Sequence, residues 1–596
     1  MIVMKNIKYI ILSIFLVATS CVDPLDATRL DVISEEVVWD DTNLINAYMA
    51  DVFNRIELVY RPDYGSINNE IIAETSFGAE GRFRGDANGY SDVSGRVNGN
   101  STGHVLSYWR WSLMRVVNTA IAQLSDEESS LPIDYREQRL GQAYFSRAVM
   151  YFQMVKRYGG VPLILEVQDV SLDPDQLKVP RSTEKESYDQ VLSDFDMAIE
   201  LLKDKSVGRW EPNLDAAYAL KGRAALYAGS IAQFNDRLPL KKDGLVGINS
   251  SEAASYYAIS LEASKHLMPA PFGTGSYKLR PGANVEQYRQ IFDDIGSGND
   301  TESILYQQFS GAGGLTNNYD TFILPRALTE HANWGAAENV YFETITWFDY
   351  KDGTSGELLP DGSAKLENNI GANKFYDLED LFDARDPRFG ASVGYPGMIY
   401  AGNPAYFHDG VTDPSAASSA GVPTSSPRQN RIRSALAAYK LANIASPVVP
   451  QQMGDNELME IRLGEIYMNY AEAAFGLGQA GTALDALNAI RERAGMPILN
   501  TITFDDIVNE RKLELVFERH RYWDLKRWRL AEEPLNTQYT GVQFTWNVAD
   551  NTYAIRRTNN TETVVRLFKP ADYYLPIPID DIENNDALIQ NPGFEL

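Results

Sequence analysis

Apolar residues recur with helical spacing along much of this chain. After Asp41-Thr42, Leu44, Tyr48, Val52 and Ile56 return every fourth position, which predicts an amphipathic helix capped by the preceding acid and hydroxyl. The period reappears at 105 to 124 (Trp109, Leu113, Val116, Ala120, Leu124) and at 135 to 158, where it closes on Gly159-Gly160 and Pro162. Further helices are predicted at 184 to 203, opened by a capping box from Thr183 to Glu186, at 213 to 233 and at 252 to 268. Residues 458 to 496 hold a pair, EIRLGEIYMNYAEAAFGLG and AGTALDALNAIRERAG. Leu463-Gly464 with Tyr467 fits the first helix of a tetratricopeptide repeat, although the second begins later than the roughly 34-residue period allows. The pattern predicts a mostly α chain built from helical pairs.

The stretch Thr503 to Pro534 reads as one long helix, capped at Thr503 with Asp506 and stopped by a proline that lacks an N–H. Phe504, Ile507, Val508, Leu515, Tyr522 and Leu525 cover one face, and Leu513, Val516, Phe517, Trp523 and Trp528 the other. A helix that is apolar on both faces is buried. Charges threaded through it must then be paired, and 511/514, 518/521 and 524/527 are opposite-sign neighbours at i,i+3. A structural role for these charges is the expectation; ion-pair networks in such helices are mostly not catalytic.

Two stretches break the period. Residues 61 to 103 are rich in Gly and Asn, with Phe77, Phe83 and Tyr90 interleaved with Arg82 and Arg84. Residues 299 to 455 are rich in Gly, Pro, Asn and Ser with scattered aromatics, and only Glu302 to Phe309 suggests a strand. Irregular segments this long inside a compact chain are usually either functional or disordered.

The formal charge of -27 over 596 residues disfavours nucleic acid as a partner, because phosphates would be repelled. Residues 1 to 20 carry Lys5 and Lys8, an apolar run from Tyr9 to Val17 and the small residues Ala18-Thr19-Ser20, ending at Cys21. The run is shorter than the ~20 residues of a membrane span and reads as a signal peptide. Cys21, the sole cysteine, stands where bacterial lipoproteins are cleaved and acylated; an ordinary signal peptide with an accidental cysteine is the competing reading. With one cysteine there is no intrachain disulfide, and the fold rests on packing.

Glu510-Arg511, Leu513-Glu514-Leu515, Phe517-Glu518, His520-Arg521, Trp523-Asp524-Leu525 and Arg527-Trp528 together resemble the C-terminal signature of the SusD/RagB family. Tyr158-Gly159-Gly160-Val161-Pro162, Asn333-Trp334-Gly335, Trp347 with Asp352-Gly353, Arg385-Asp386-Pro387-Arg388 and the final 24 residues resemble its other landmarks in the same order. Members of that family are nutrient-binding outer-membrane lipoproteins of Bacteroidetes. The resemblance implies a superhelical tetratricopeptide-like scaffold with a large irregular region and minor β structure. It also implies surface exposure, and docking on a SusC-like TonB-dependent transporter. The corresponding division is 1–20 signal peptide, 21–40 lipidated tether, 41–298 helical region with a binding loop at 61–103, 299–455 ligand-binding region, and 456–596 signature region completing the scaffold.

No His-Glu-x-x-His, phosphate-loop or Gly-x-Ser-x-Gly pattern is present, and with 81 acidic residues carboxylate pairs arise by chance. The expectation is a non-catalytic receptor. A sugar presents an apolar C–H face to an aromatic ring, and hydroxyls to amides, acids and guanidiniums. Trp334, beside Asn333 and Gly335, is the first candidate platform; Tyr319, His331, Tyr90, Phe83, Arg82 and Asn88 are further candidates because they lie in the two irregular regions. No cofactor is expected, though loop Asp, Asn and carbonyl groups leave room for a structural calcium ion. A peptide or other nutrient ligand, and a protein-binding helical-repeat adaptor, are the alternative functions.

Overall fold

The computed structural model describes residues 38–56, 70–83, 106–309, 316–317, 319–324, 338–406, 408–421, 434–445, 454–559 and 566–595. Helix α1 (Thr42–Arg55) is capped by the Asp41 side chain, which accepts from the backbone N–H groups of Asn43 and Leu44. Its buried stripe is Ile45, Met49 and Val52, one position along from the predicted Leu44 and Tyr48, which are half-buried. Within the stretch read as irregular, Glu70–Phe77 forms α2 and Gly81–Phe83 forms strand β1.

Helices α3 (Trp111–Leu124), α4 (Ile133–Tyr158), α5 (Glu184–Leu202), α6 (Leu214–Gln233) and α7 (Ala253–Leu267) follow in the predicted places, except that α3 starts at Trp111 and leaves Trp109 of the predicted 105–124 stripe outside it. Both halves of the Thr183–Glu186 capping box are formed at the start of α5. At the end of α4, Gly159 takes φ 74, and a Cβ on Gly160 would stand 1.9 Å from the Ser182 carbonyl oxygen. Only glycine fits this turn.

After α7 the chain leaves for the loop-rich region, beginning with α8 (Val285–Asp293), and returns through α9 (Leu463–Gly476) and α10 (Ala480–Arg493). Each of α3, α4, α5, α6, α7, α9 and α10 packs on the next, so the row of helices is continuous across the excursion. The excursion is fastened at its base by strands β2 (Ser303–Gln307) and β6 (Leu458–Arg462), paired antiparallel from Leu458↔Gln307 to Arg462↔Ser303. The first five residues of the predicted 458–496 helical pair are therefore strand.

The single helix expected at 503–534 is divided. Helix α11 (Phe504–Glu514) ends in a turn, α12 (Arg521–Arg527) follows, and Pro534 lies inside a short helix Glu532–Asn536 rather than ending one. Phe517 and Arg519 take φ 59 and 67, the left-handed region that non-glycine residues seldom adopt. The charges explain the break. Of the three i,i+3 pairs expected, only Asp524–Arg527 forms, at 2.9 Å. Arg511 Nε reaches across the turn to Asp524 at 2.8 Å, and Arg521 lies over the Trp347 ring at 4.7 Å. Glu514 accepts instead from Arg462 at 2.6 Å, Arg493 at 2.5 Å and Arg388 at 3.2 Å, and Glu518 from Arg462 at 2.7 Å and Lys440 at 2.6 Å. Burial alone would raise the Glu514 carboxyl, but Arg493, Arg462 and Arg388 outweigh it and hold it well below the usual carboxylate range.

The main apolar core lies along the helix row and contains Trp523. A second core joins Tyr288, Tyr319, Tyr400 and Tyr439. A third joins Val340, Phe389 and Phe517 to the hairpin of β7 (Gly541–Asn547) and β8 (Thr552–Thr558). Loop-rich and C-terminal residues thus share cores, bound by the ion network described above.

Candidate functional site

A small sheet sets the geometry. Strand β1 pairs antiparallel with β3 (Glu338–Val340) in the register Gly81↔Val340, Arg82↔Asn339, Phe83↔Glu338. Beyond β3 lie β5 (Ala437–Ala438) and β4 (Val393–Gly394), through Asn339↔Ala437 and Val393↔Ala438. Antiparallel pairing puts the end of β1 beside the start of β3. The chain leaves Phe83 toward 84–105 and reaches Glu338 from 325–337, so the two stretches richest in candidate ligand residues join the fold at one sheet edge.

Of the candidate residues, Arg82 and Phe83 stand at this edge. The Arg82 side chain is buried, at 4% exposure. Tyr319 is elsewhere: it opens the short helix Tyr319–Ile323 and is 2% exposed in the second core, so its ring packs rather than faces solvent. Its segment is held by Asn317, whose backbone N–H donates to the Gly454 carbonyl at 2.8 Å and whose side-chain amide donates to the Asn456 carbonyl at 2.9 Å. Asn88, Tyr90, His331, Asn333, Trp334 and Cys21 lie outside the described residues.

The edge stands on a rigid base that sequence reasoning did not single out. The Thr344 hydroxyl donates to the Glu80 carbonyl at 2.8 Å, and the Phe517 backbone N–H donates to Glu80 Oε1 at 2.9 Å. Arg566 donates to the Ser76 carbonyl at 2.7 Å and to the Tyr341 hydroxyl at 2.9 Å. Trp523 Nε1 donates to Glu74 Oε1 at 2.8 Å, tying α2 to α12. Burial raises the Glu80 carboxyl to about 8, so it is mostly protonated at neutral pH, and burial raises Glu338 as well. Both carboxyls are enclosed within the frame rather than exposed to solvent. The left-handed turn at Phe517 delivers the backbone N–H that holds Glu80, which links the break after α11 to the base of β1. Among the described residues no group of three or more His, Cys, Asp or Glu side chains could hold a metal ion.

Helix row, excursion and edge together define a tetratricopeptide-like scaffold with a loop-rich region fastened to it. A model described as the SusD family matches residues 301–594, and one described as starch-binding, associating with the outer membrane, matches 78–226. The chain belongs to the SusD/RagB family. It is 24% identical to SusD-like protein P38 of Formosa agariphila, over 89% of this chain and 93% of that one. The crystal structure of a SusD-like protein from Bacteroides fragilis superposes with a TM-score of 0.71 at 22% identity, covering 95% of this chain and 100% of that one. A laminarin binding SusD-like protein superposes with a TM-score of 0.59 at 20% identity, covering 93% and 100%. At these identities the superpositions establish the fold.

Proposed function

We propose that this protein is a non-catalytic, surface-exposed lipoprotein of the outer membrane, anchored through Cys21. It captures an oligosaccharide on the loops at the Phe83/Glu338 edge and delivers it to a SusC-like TonB-dependent transporter. The observation that carries this reading is the β1–β3 register, which joins 84–105 and 325–337 to one edge. Those stretches supply Tyr90, Asn88, His331, Asn333 and Trp334, a set able to stack on a sugar ring and hydrogen-bond its hydroxyls. Laminarin binding in a relative of the same fold, and starch binding in the matching family description, support a glycan as the ligand class.

Isothermal titration against host, plant and microbial glycans, with peptides as the competing class, tests the reading. A buried aromatic anchor is typically worth ~2 kcal/mol, so Trp334→Ala should weaken glycan binding roughly 30-fold with melting unchanged. Tight binding to peptides alone would replace the glycan with a peptide ligand. Cleavage of a panel glycan by the purified protein would end the non-catalytic reading.

A further inference from the structure

An open cleft of about 640 Å³ lies between the start of α8, residues 377–399 and the β7–β8 hairpin. That volume falls within the roughly 300–1,000 Å³ usual for small-ligand sites. No residue of β1 or β3 lines it, so it is distinct from the Phe83/Glu338 edge. One wall is apolar and aromatic: Tyr395 and Met398 are half-buried, Ile399 is exposed, and Tyr439 is buried behind them. The rim is acidic. Glu286, Asp377, Glu379 and Asp383 are all exposed there, against one ammonium among the described lining residues, that of Lys351.

Lys351 Nζ donates to the Asp383 backbone carbonyl at 2.9 Å. The Tyr395 hydroxyl donates to the Asp383 carboxylate, and the Glu379 backbone N–H donates to Asp377 Oδ1 at 2.8 Å. The rim acids are thus oriented by local hydrogen bonds, yet they outnumber the cation beside them. A separate feature lies in the same cleft. Tyr553 lines the cleft at 4% exposure, stacked on Trp546 with ring centroids 5.8 Å apart. Its hydroxyl has no hydrogen-bond partner among the described residues, and burial keeps it protonated and able to donate.

We propose that this cleft is a second saccharide site, whose ligand is a sugar unit carrying a protonated amine, as in 2-amino-2-deoxy sugars. The C–H face of the ring lies on Tyr395 and Met398, the ammonium faces Asp377, Glu379 and Asp383, and a ring hydroxyl accepts from Tyr553. An N-acetylated unit would lose the charge, and a uronic acid would be repelled. The proposal rests on reading the protein as a saccharide binder, and adds a site and a ligand class to it.

Titration of the detergent-solubilised full-length protein with β-1,4-linked tetramers of glucosamine, N-acetylglucosamine and glucose separates the two claims. The glucosamine tetramer should bind at least about tenfold tighter than the others, a preference of ~1.4 kcal/mol. That preference should shrink as salt rises from about 50 to about 500 mM, because the rim is exposed and screened. It should vanish in the surface variant Asp377→Asn/Glu379→Gln and weaken in Tyr553→Phe, with melting temperatures unchanged, while Trp334→Ala retains it. Equal affinity for the three tetramers, a preference that survives Asp377→Asn/Glu379→Gln, or tetralysine binding as tightly as the glucosamine tetramer would overturn the proposal. Loss of the preference in Trp334→Ala would place the amine at the other site and overturn it too. Amine-selective binding that depends on Asp377 and Glu379, with no neutral glycan bound at all, would uphold this cleft and count against the edge.

Discussion

Single side chains show most directly how burial redirects chemistry. Glu80 is fully buried, and its carboxyl ionises in the folded chain only near pH 8, against 4.5 for the ordinary group. Between those values the unfolded chain holds fewer protons than the folded one, so this group's contribution to stability is present in full below 4.5 and is lost as pH rises through 8. Lys512 and Lys526, lowered by burial to about 7, work in the opposite direction and gain as pH rises from there. Comparison with Glu80→Gln isolates the carboxyl. The variant should match the wild type at about pH 4 and exceed it by roughly 2 kcal/mol at about pH 9, read from urea unfolding at each pH. Equal slopes in the two proteins would show that Glu80 ionises normally. Arg82 and Tyr319 were candidates only because both fall in aperiodic stretches, and their burial was not legible there because the elements that flank them come from far along the chain: β3 beside Arg82, and the strip around Gly454 beside the Tyr319 segment. Arg511, Glu514 and Asp524 were legible as buried charges, and the Asp524–Arg527 pair with them, whereas the partners that Arg511 and Glu514 take were not.

At the scale of elements, local pattern succeeded where a helix closes its own caps and failed where long-range charge decides. Thr183 with Glu186 and Thr503 with Asp506 are self-contained signals, and both boxes form. Continuity across Leu515 to His520 looked equally secure by periodicity, yet Arg462, Arg493, Arg388 and Lys440 arrive from other elements and draw the chain into a left-handed turn. The β7–β8 hairpin left a readable trace: Val542, Phe544 and Trp546 alternate with Gln543, Thr545 and Asn547 at period two, and Asp550-Asn551 supplies the turn. Gly159-Gly160 was read as a helix stop, and the second glycine proves to be the more constrained. Since a Cβ there would sit 1.9 Å from the Ser182 carbonyl oxygen, with Thr183 and Glu184 backbone atoms at 2.7 and 2.9 Å, Gly160→Ala should destabilise the fold. A loss of about 3 kcal/mol or more is expected in chemical denaturation, at the upper end of overpacking costs because backbone must move. A variant that melts with the wild type would mean that the α4–α5 junction is far looser than this.

For the whole molecule, the excursion between α7 and α9 is what adds to the row of helices the surface that the proposed receptor function needs. Strands β2 and β6 clamp its base, and the ion network around Glu514 ties its interior to α11. In the proposed function, placement at the membrane rests on Cys21, and Cys21→Ser should move the protein from the outer-membrane fraction to the soluble fraction. A triacylated Cys21→Ser species still in the membrane would exclude this cysteine as the anchor. In the proposed function, ligand is held where 84–105 and 325–337 join the β1–β3 edge. Hydrogen–deuterium exchange with and without a bound glycan tests it most directly. The account expects slowed exchange in peptides spanning 80–105 and 325–340, with the helix row unchanged; protection confined to α4 through α7 would contradict it and point to an adaptor that binds along its helices.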